Sequence, residues 1–176
     1  MLTGSSDQQL FQPSGMALAC SGRRESDDCT VYVLDSGNER IAKYSRSLQL
    51  MGYLRSAAVA GHSATGMCAS QCGTRLWIAN WKMRSVMEVA TDGGGVLRTV
   101  SLAFMKEPVD VAVNSRGHLL VADAEQGAVY VIELSSSSSN GIPTIHPPFQ
   151  IVVPFQPLPT INRSIIYNSC ISPRSI

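Results

Sequence analysis

Charge of either sign is scarce and balanced: 14 Lys and Arg stand against 13 Asp and Glu, a formal net charge of +1. That excludes bulk attraction to nucleic acid or acidic membranes, although a local patch stays open. Long apolar runs are missing as well. No uninterrupted stretch approaches the roughly 18 residues that a spanning helix needs, and the apolar segment from Phe149 to Leu158 is cut by Pro154 and Pro157. No membrane partner is expected. The opening MLTGSSDQQLFQPSG lacks the basic start, apolar centre and small-residue cleavage site of a secretory leader, so a cytoplasmic location is the default expectation.

The chain also lacks the spacings that carry chemistry. Its five cysteines, Cys20, Cys29, Cys68, Cys72 and Cys170, contain no C-x-x-C pair, which excludes zinc-finger and dense disulfide frameworks. Cys20 and Cys29 flank the polar stretch SGRRESDD. A bridge there would staple the base of an enlarged hairpin in an oxidising compartment, reduced thiols being the ordinary alternative. His62, His118 and His146 share no common spacing, and Ser63 beside His62 has neither a separated base nor an orienting carboxylate. The glycines of TDGGGVL are not followed by Lys-Ser/Thr, so they read as a hairpin turn and not as a phosphate cradle. No catalytic residue, metal site or cofactor is expected, and the chain reads as a non-enzyme.

What is present is repetition. With 176 residues, 44% of them hydrophobic, the sequence suits one packed domain. The segment YVLDSGNERIAKYS (32–45) returns as WIANWKMRSVMEVA (77–90) and LVADAEQGAVYVIE (120–133) at spacings of 45 and 43 residues. Each copy is preceded by a short β-prone run, PSGMALA, ATGMCAS and EPVDVAV. A third strand follows at 41–44, 86–89 and 129–132, and a fourth is expected at 48–54 and 96–102. Apolar residues alternate by twos, and strands of this length at a period near 44 indicate propeller blades. The expected fold is all-β.

These residues resemble the NHL repeat, whose pattern runs roughly P-x-G-(I/V)-A-V, a turn ending G-N, (V/I)-Y-V-A-D, a short polar turn, and R-(I/V)-x-V-(F/Y). Pro13, Gly15, Met16, Ala17, Tyr32, Val33, Asp35, Asn38, Arg40, Ile41 and Tyr44 match it, as do Pro108, Val111, Ala112, Val113, Gly117, Leu120, Val121, Ala122, Asp123, Val129 and Val131. The middle copy keeps Gly66, Met67, Ile78, Ala79, Arg84 and Val86 but carries Asn80 for the aspartate and Trp81 for a small residue. The resemblance implies a partial NHL-like β-propeller of about three four-stranded blades over 11–134, with blades near 11–56, 57–104 and 105–134. A flexible N-terminus (1–10) would precede it, and a disordered, Ser- and Pro-rich tail (135–176) would follow. NHL propellers serve as protein-binding, RNA-binding and occasionally enzymatic scaffolds, so the resemblance does not itself fix a function. The propeller lyase that processes amidated peptides is a poor match, because its metal-binding histidines have no counterparts here.

Asp35, Asn80 and Asp123 recur once per module and are expected to be structural, accepting hydrogen bonds from N–H groups of the turn that follows. Up-and-down geometry puts the turns between second and third strands on the same face as the connections between blades. Arg40, Trp81, Lys82 and Arg84 would meet there, an aromatic beside cations. Trp and Arg on a surface suit a protein partner, and the same set could stack on and neutralise single-stranded RNA. The plainer reading buries Trp81 between blades and leaves the charges solvated. Three blades also leave two blade faces open, which points to self-association or a completing partner.

Overall fold

The computed structural model describes residues 9–20 and 29–133. Eleven strands form three antiparallel sheets, each a meander in which chain neighbours pair. Blade 1 holds β1 (Pro13–Cys20), β2 (Cys29–Asp35), β3 (Arg40–Ser45) and β4 (Leu50–Leu54). Blade 2 holds β5 (Ala64–Ala69), β6 (Arg75–Asn80), β7 (Ser85–Ala90) and β8 (Val96–Val100). Blade 3 holds β9 (Pro108–Val113), β10 (Leu119–Asp123) and β11 (Ala128–Ile132). The chain is a partial β-propeller, as the repeat spacing predicts.

Blade 3 departs from the expected four strands: its sheet has three among the described residues. In blades 1 and 2 the fourth strand begins at Leu50 and Val96, shortly after β3 and β7 end. The corresponding stretch after β11 begins beyond residue 133 and lies outside the described residues. The tail expected at 135–176, the first eight residues of the expected flexible N-terminus and the SGRRESDD stretch lie outside the described residues.

The core divides into two slabs, one at each junction between blades. At the first, Ala17, Tyr32, Leu34 and Ile41 of blade 1 meet Met67, Leu76, Ile78 and Met87 of blade 2. At the second, Cys68, Trp77, Ala79 and Val86 of blade 2 meet Val111, Leu119, Val121 and Tyr130 of blade 3. Strand alternation sends the even and odd positions of blade 2 to opposite neighbours. This accounts for the nearly continuous apolar character of its strands, because both faces are covered.

The innermost strands approach closely, and glycine permits it. A Cβ on Gly66 would lie 2.5 Å from Asp110 Cα and 2.7 Å from the Val109 carbonyl oxygen, both in the backbone of blade 3. On Gly15 it would lie 3.0 Å from the Thr65 carbonyl oxygen of blade 2. The glycine of the repeat is thus a spacing device between neighbours, not a turn residue. The one buried acid of blade 2's strands, Glu88, is paired, with Arg75 at 2.8 Å and Arg98 at 3.4 Å. Cys20 and Cys29 are opposite each other in the β1–β2 register and are joined by a disulfide. The bridge realises the stapled hairpin and not the pair of free thiols.

Candidate interaction face

In every blade the segment leading into the innermost strand is tied to the end of the second strand by one buried polar side chain. In blade 3, Asp123 accepts from Lys106 N (2.7 Å) and Glu107 N (3.1 Å) ahead of β9, and from Gln126 N (3.0 Å) in the β10–β11 turn. In blade 2, Asn80 Oδ1 accepts from Ser63 Oγ (2.8 Å) and Met83 N (3.0 Å), while its Nδ2 donates to Ala58 O (3.1 Å). In blade 1, Asp35 accepts from Phe11 N (2.6 Å), Asn38 Nδ2 (2.8 Å) and Arg40 Nε (2.7 Å). The expected bond to a following turn amide is present for Asp123 and Asn80. To Asp35 the side chains of Asn38 and Arg40 donate. The shared function is broader than turn closure, since each residue clamps the entry of its blade to the turn between second and third strands.

These clamps gather the turns and the linkers on one face, as up-and-down geometry requires. Trp81 N donates to Ser63 O at 3.3 Å, and a ring nitrogen of His62, Nδ1, lies 3.1 Å from Ser36 O. The three turns share a further detail. Each ends in a left-handed residue before its third strand: Glu39 (φ 52°), Arg84 (φ 49°) and Gly127 (φ 58°). Only blade 3 uses the residue that adopts this conformation without steric cost.

Arg40 does not join the exposed set. It is only 6% exposed, ion-paired to Asp35 and seated 3.8 Å from the centre of the Tyr53 ring. The β-hairpin register places Arg40 directly opposite Asp35, so the buried carboxylate draws the cation inward. Trp81 is on the surface at 42% exposure, and Trp77 is the aromatic that fills the junction with blade 3. Lys82 and Arg84 are exposed beside it. Met83, which a search for aromatics and cations passes over, is 52% exposed between them. Its signal in the sequence is an apolar residue inside a polar turn.

The basic character is local. The equivalent turns of the neighbouring blades carry acids, Glu39 in the β2–β3 turn of blade 1 and Glu125 in the β10–β11 turn of blade 3. Among the described residues no group of three or more His, Cys, Asp or Glu converges as metal ligands require. A separate reactive group lies at the opposite hairpin tip, between β5 and β6. There the exposed Cys72 thiol is lowered to about 7 by hydrogen bonds from Ser70 and then Thr74, which favour the thiolate.

No family model matches the sequence, and no curated protein does. In fold the chain is similar to solved structures that include β-propeller proteins. One is hydrazine synthase from Kuenenia stuttgartiensis, with TM-score 0.56 and 14% identity over 76% of this chain and 36% of that one. Another is virginiamycin B lyase from Staphylococcus aureus, with TM-score 0.54 and 14% identity over 77% and 41%. A third comes from a nidogen/laminin complex, with TM-score 0.51 and 19% identity over 70% and 45%. Identities of this order show the fold alone. The chain spans less than half the length of each of these neighbours. Among the described residues no helix is long and apolar enough to cross a membrane.

Proposed function

We propose that the chain is a non-catalytic scaffold of the NHL type that binds a protein partner through the β6–β7 turn. Trp81 and Met83 are its apolar anchors, with Lys82 and Arg84 as flanking cations. The observation that carries the reading is four consecutive exposed residues, 81–84, containing a tryptophan and a methionine, on a turn held rigidly by Asn80. Exposed aromatic and Arg side chains on a fixed backbone are the common anchors of protein interfaces, because they bring large contact area at little ordering cost. The clamping role of Asp35, Asn80 and Asp123 supports a non-catalytic reading, since the recurring polar groups are engaged in holding the blades.

Single-stranded RNA is the weaker reading, because Glu39 and Glu125 interrupt any continuous basic track on this face. Affinity capture with the wild-type chain and with Trp81→Ala/Arg84→Ala, beside an RNA-shift assay across salt, tests the choice. A salt-tolerant protein partner that weakens roughly 30-fold or more on the double substitution is expected, as for loss of a hot spot. A partner bound equally by both proteins, or RNA binding that collapses with salt, overturns it. The cytoplasmic setting expected from the N-terminal sequence and the closed Cys20–Cys29 bridge pull in opposite directions, since cytosolic thiols are kept reduced. Acid trapping of thiols in cells, followed by mass measurement, decides between them.

A further inference from the structure

The outer faces of blades 1 and 3 have the composition of blade junctions, and among the described residues no further blade packs on them. Blade 2 presents Met67, Leu76, Ile78, Met87 and Val89 to blade 1, and all are buried. The repeat register makes Met16, Val31, Val33, Ala42 and Tyr44 their counterparts on the far side of blade 1, with Leu18 beside them. Met16 is 62% and Leu18 55% exposed, Val31, Val33 and Tyr44 are partly exposed, and Ala42 is buried. At the other end, blade 2 covers Cys68, Trp77, Ala79 and Val86 with blade 3. Their counterparts on the far side of blade 3 are Ala112, Leu120, Ala122 and Val129, all partly exposed. Neither set contains a charge; the register continues the first face with the buried Asp35–Arg40 pair and the second with Asp110. A face left to solvent is ordinarily polar, and these residues are not.

We propose that two copies of this chain close head to tail into one six-bladed ring, blade 3 of each packing on the outer face of blade 1 of the other. The two faces match as the existing junctions do. On the innermost strands the first junction sets Ala17 on one side and Met67 on the other, and the new contact repeats this with Ala112 and Met16. Asp110 stands where blades 1 and 2 have Gly15 and Gly66, and its carboxylate lies near Gly66 of blade 2. At 4.8 Å between strands and 3.3 Å per residue, one face of three or four short strands covers roughly 250–300 Å². Four such faces bury about 1,000–1,200 Å², the lower end of what a specific dimer needs. The Trp81 turn lies on the rim and stays open, so failure of this ring and failure of the partner reading are distinguishable.

Sedimentation velocity and light scattering on the 176-residue chain should return twice its 18.9 kDa mass. Leu18→Glu and, separately, Leu120→Glu should each halve that mass, and Leu48→Glu, at an exposed leucine away from both faces, should not. Circular dichroism checks that the variants keep their strands. A measurement on the unaltered chain is independent of variant folding: peroxide should oxidise Met16 several-fold more slowly than Met83, although Met16 is the more exposed of the two in a single chain (62% against 52%). A single-chain mass at every concentration overturns the proposal, including one with Met16 protected, which would assign that face to the chain's own remaining residues. So does an open ladder of larger species, or a dimer that survives both Leu18→Glu and Leu120→Glu.

Discussion

Replacing Asp35 by alanine isolates the clamp in its most highly charged form. The carboxylate is fully buried and accepts from Phe11 N, Asn38 Nδ2 and Arg40 Nε. Its removal takes the paired carboxylate from the Arg40 guanidinium, whose side chain is only 7% exposed and also contacts Gln9 O at 3.0 Å and the Tyr53 ring. Breaking a buried pair from one side costs about 3–5 kcal/mol, because the remaining charge is uncompensated. With a urea m-value of about 1–3 kcal/mol per molar, the unfolding midpoint should fall on the order of 2 M. Converting the cation to an apolar side chain of similar length should recover part of the loss, so Asp35→Ala/Arg40→Met should be more stable than Asp35→Ala. Urea unfolding followed by far-ultraviolet circular dichroism on the four proteins of this cycle measures both effects. A loss under about 1 kcal/mol for Asp35→Ala would show that the clamp contributes little beyond an exposed ion pair. A double substitution at least as damaging as the single one would show that Arg40 is held by Tyr53 and Gln9 without need of the carboxylate.

Gly66→Ala should cost about 2–3 kcal/mol in the same assay, since the added methyl meets backbone of blade 3 and not a side chain that can swing away. Stability equal to wild type would mean that the innermost strands separate freely. Gly127→Ala should cost about 1 kcal/mol through its positive φ alone, since nothing stands within 4 Å of the new atom, and Arg84→Gly should gain a similar fraction while weakening partner capture. Thermal melts of the pair check the opposite signs. Cys72 should be alkylated by iodoacetamide with a rate that rises through a midpoint near pH 7, because its thiolate forms there, whereas buried Cys68 stays unmodified until the chain unfolds. A midpoint at the ordinary thiol value would show that Ser70 and Thr74 do not hold the anion.

The blades were legible because a strand's alternation and a repeat's period are properties of sequence alone. The fourth strands expected at 48–54 and 96–102 appear at Leu50–Leu54 and Val96–Val100. Burial at the turn was harder to read. Arg40 resembles any turn cation until its register partner is considered, and only blade 1 sets an arginine opposite an aspartate: Asn80 faces Ser85 and Asp123 faces Ala128. That contrast was present in the aligned copies, where a charge pair five residues apart across a tight turn marks a bridge. The long reach of the clamps was not, since their partners at Phe11, Ala58 and Lys106 precede the repeat motif by an amount that pattern alone does not fix.

The middle copy, which departs most from the repeat pattern, follows a physical rule that the other two also obey. Ahead of β1 and β9 the incoming backbone offers N–H groups, from Phe11 and from Lys106 and Glu107, and an acceptor-only aspartate suits them. Ahead of β5 the chain turns through the 3-10 segment Ala57–His62, and this presents carbonyl oxygens of Ala58 and Ala60. A carboxylate cannot donate to them, and an amide can. Asn80 is therefore matched to its linker and is not a decayed aspartate. Asn80→Asp should place a buried carboxylate against two carbonyl oxygens and destabilise the chain by about 2–4 kcal/mol at neutral pH. Burial and those oxygens would raise the new group's pKa in the folded state. The deficit should then be smallest in acid, where the protonated form can donate to one carbonyl, and should grow as pH rises above the unfolded aspartate value of about 4. Urea titrations of the variant and wild type between acid and neutral pH measure the difference. A deficit that is flat with pH, or absent at neutrality, would show that the linker's carbonyls do not select the amide.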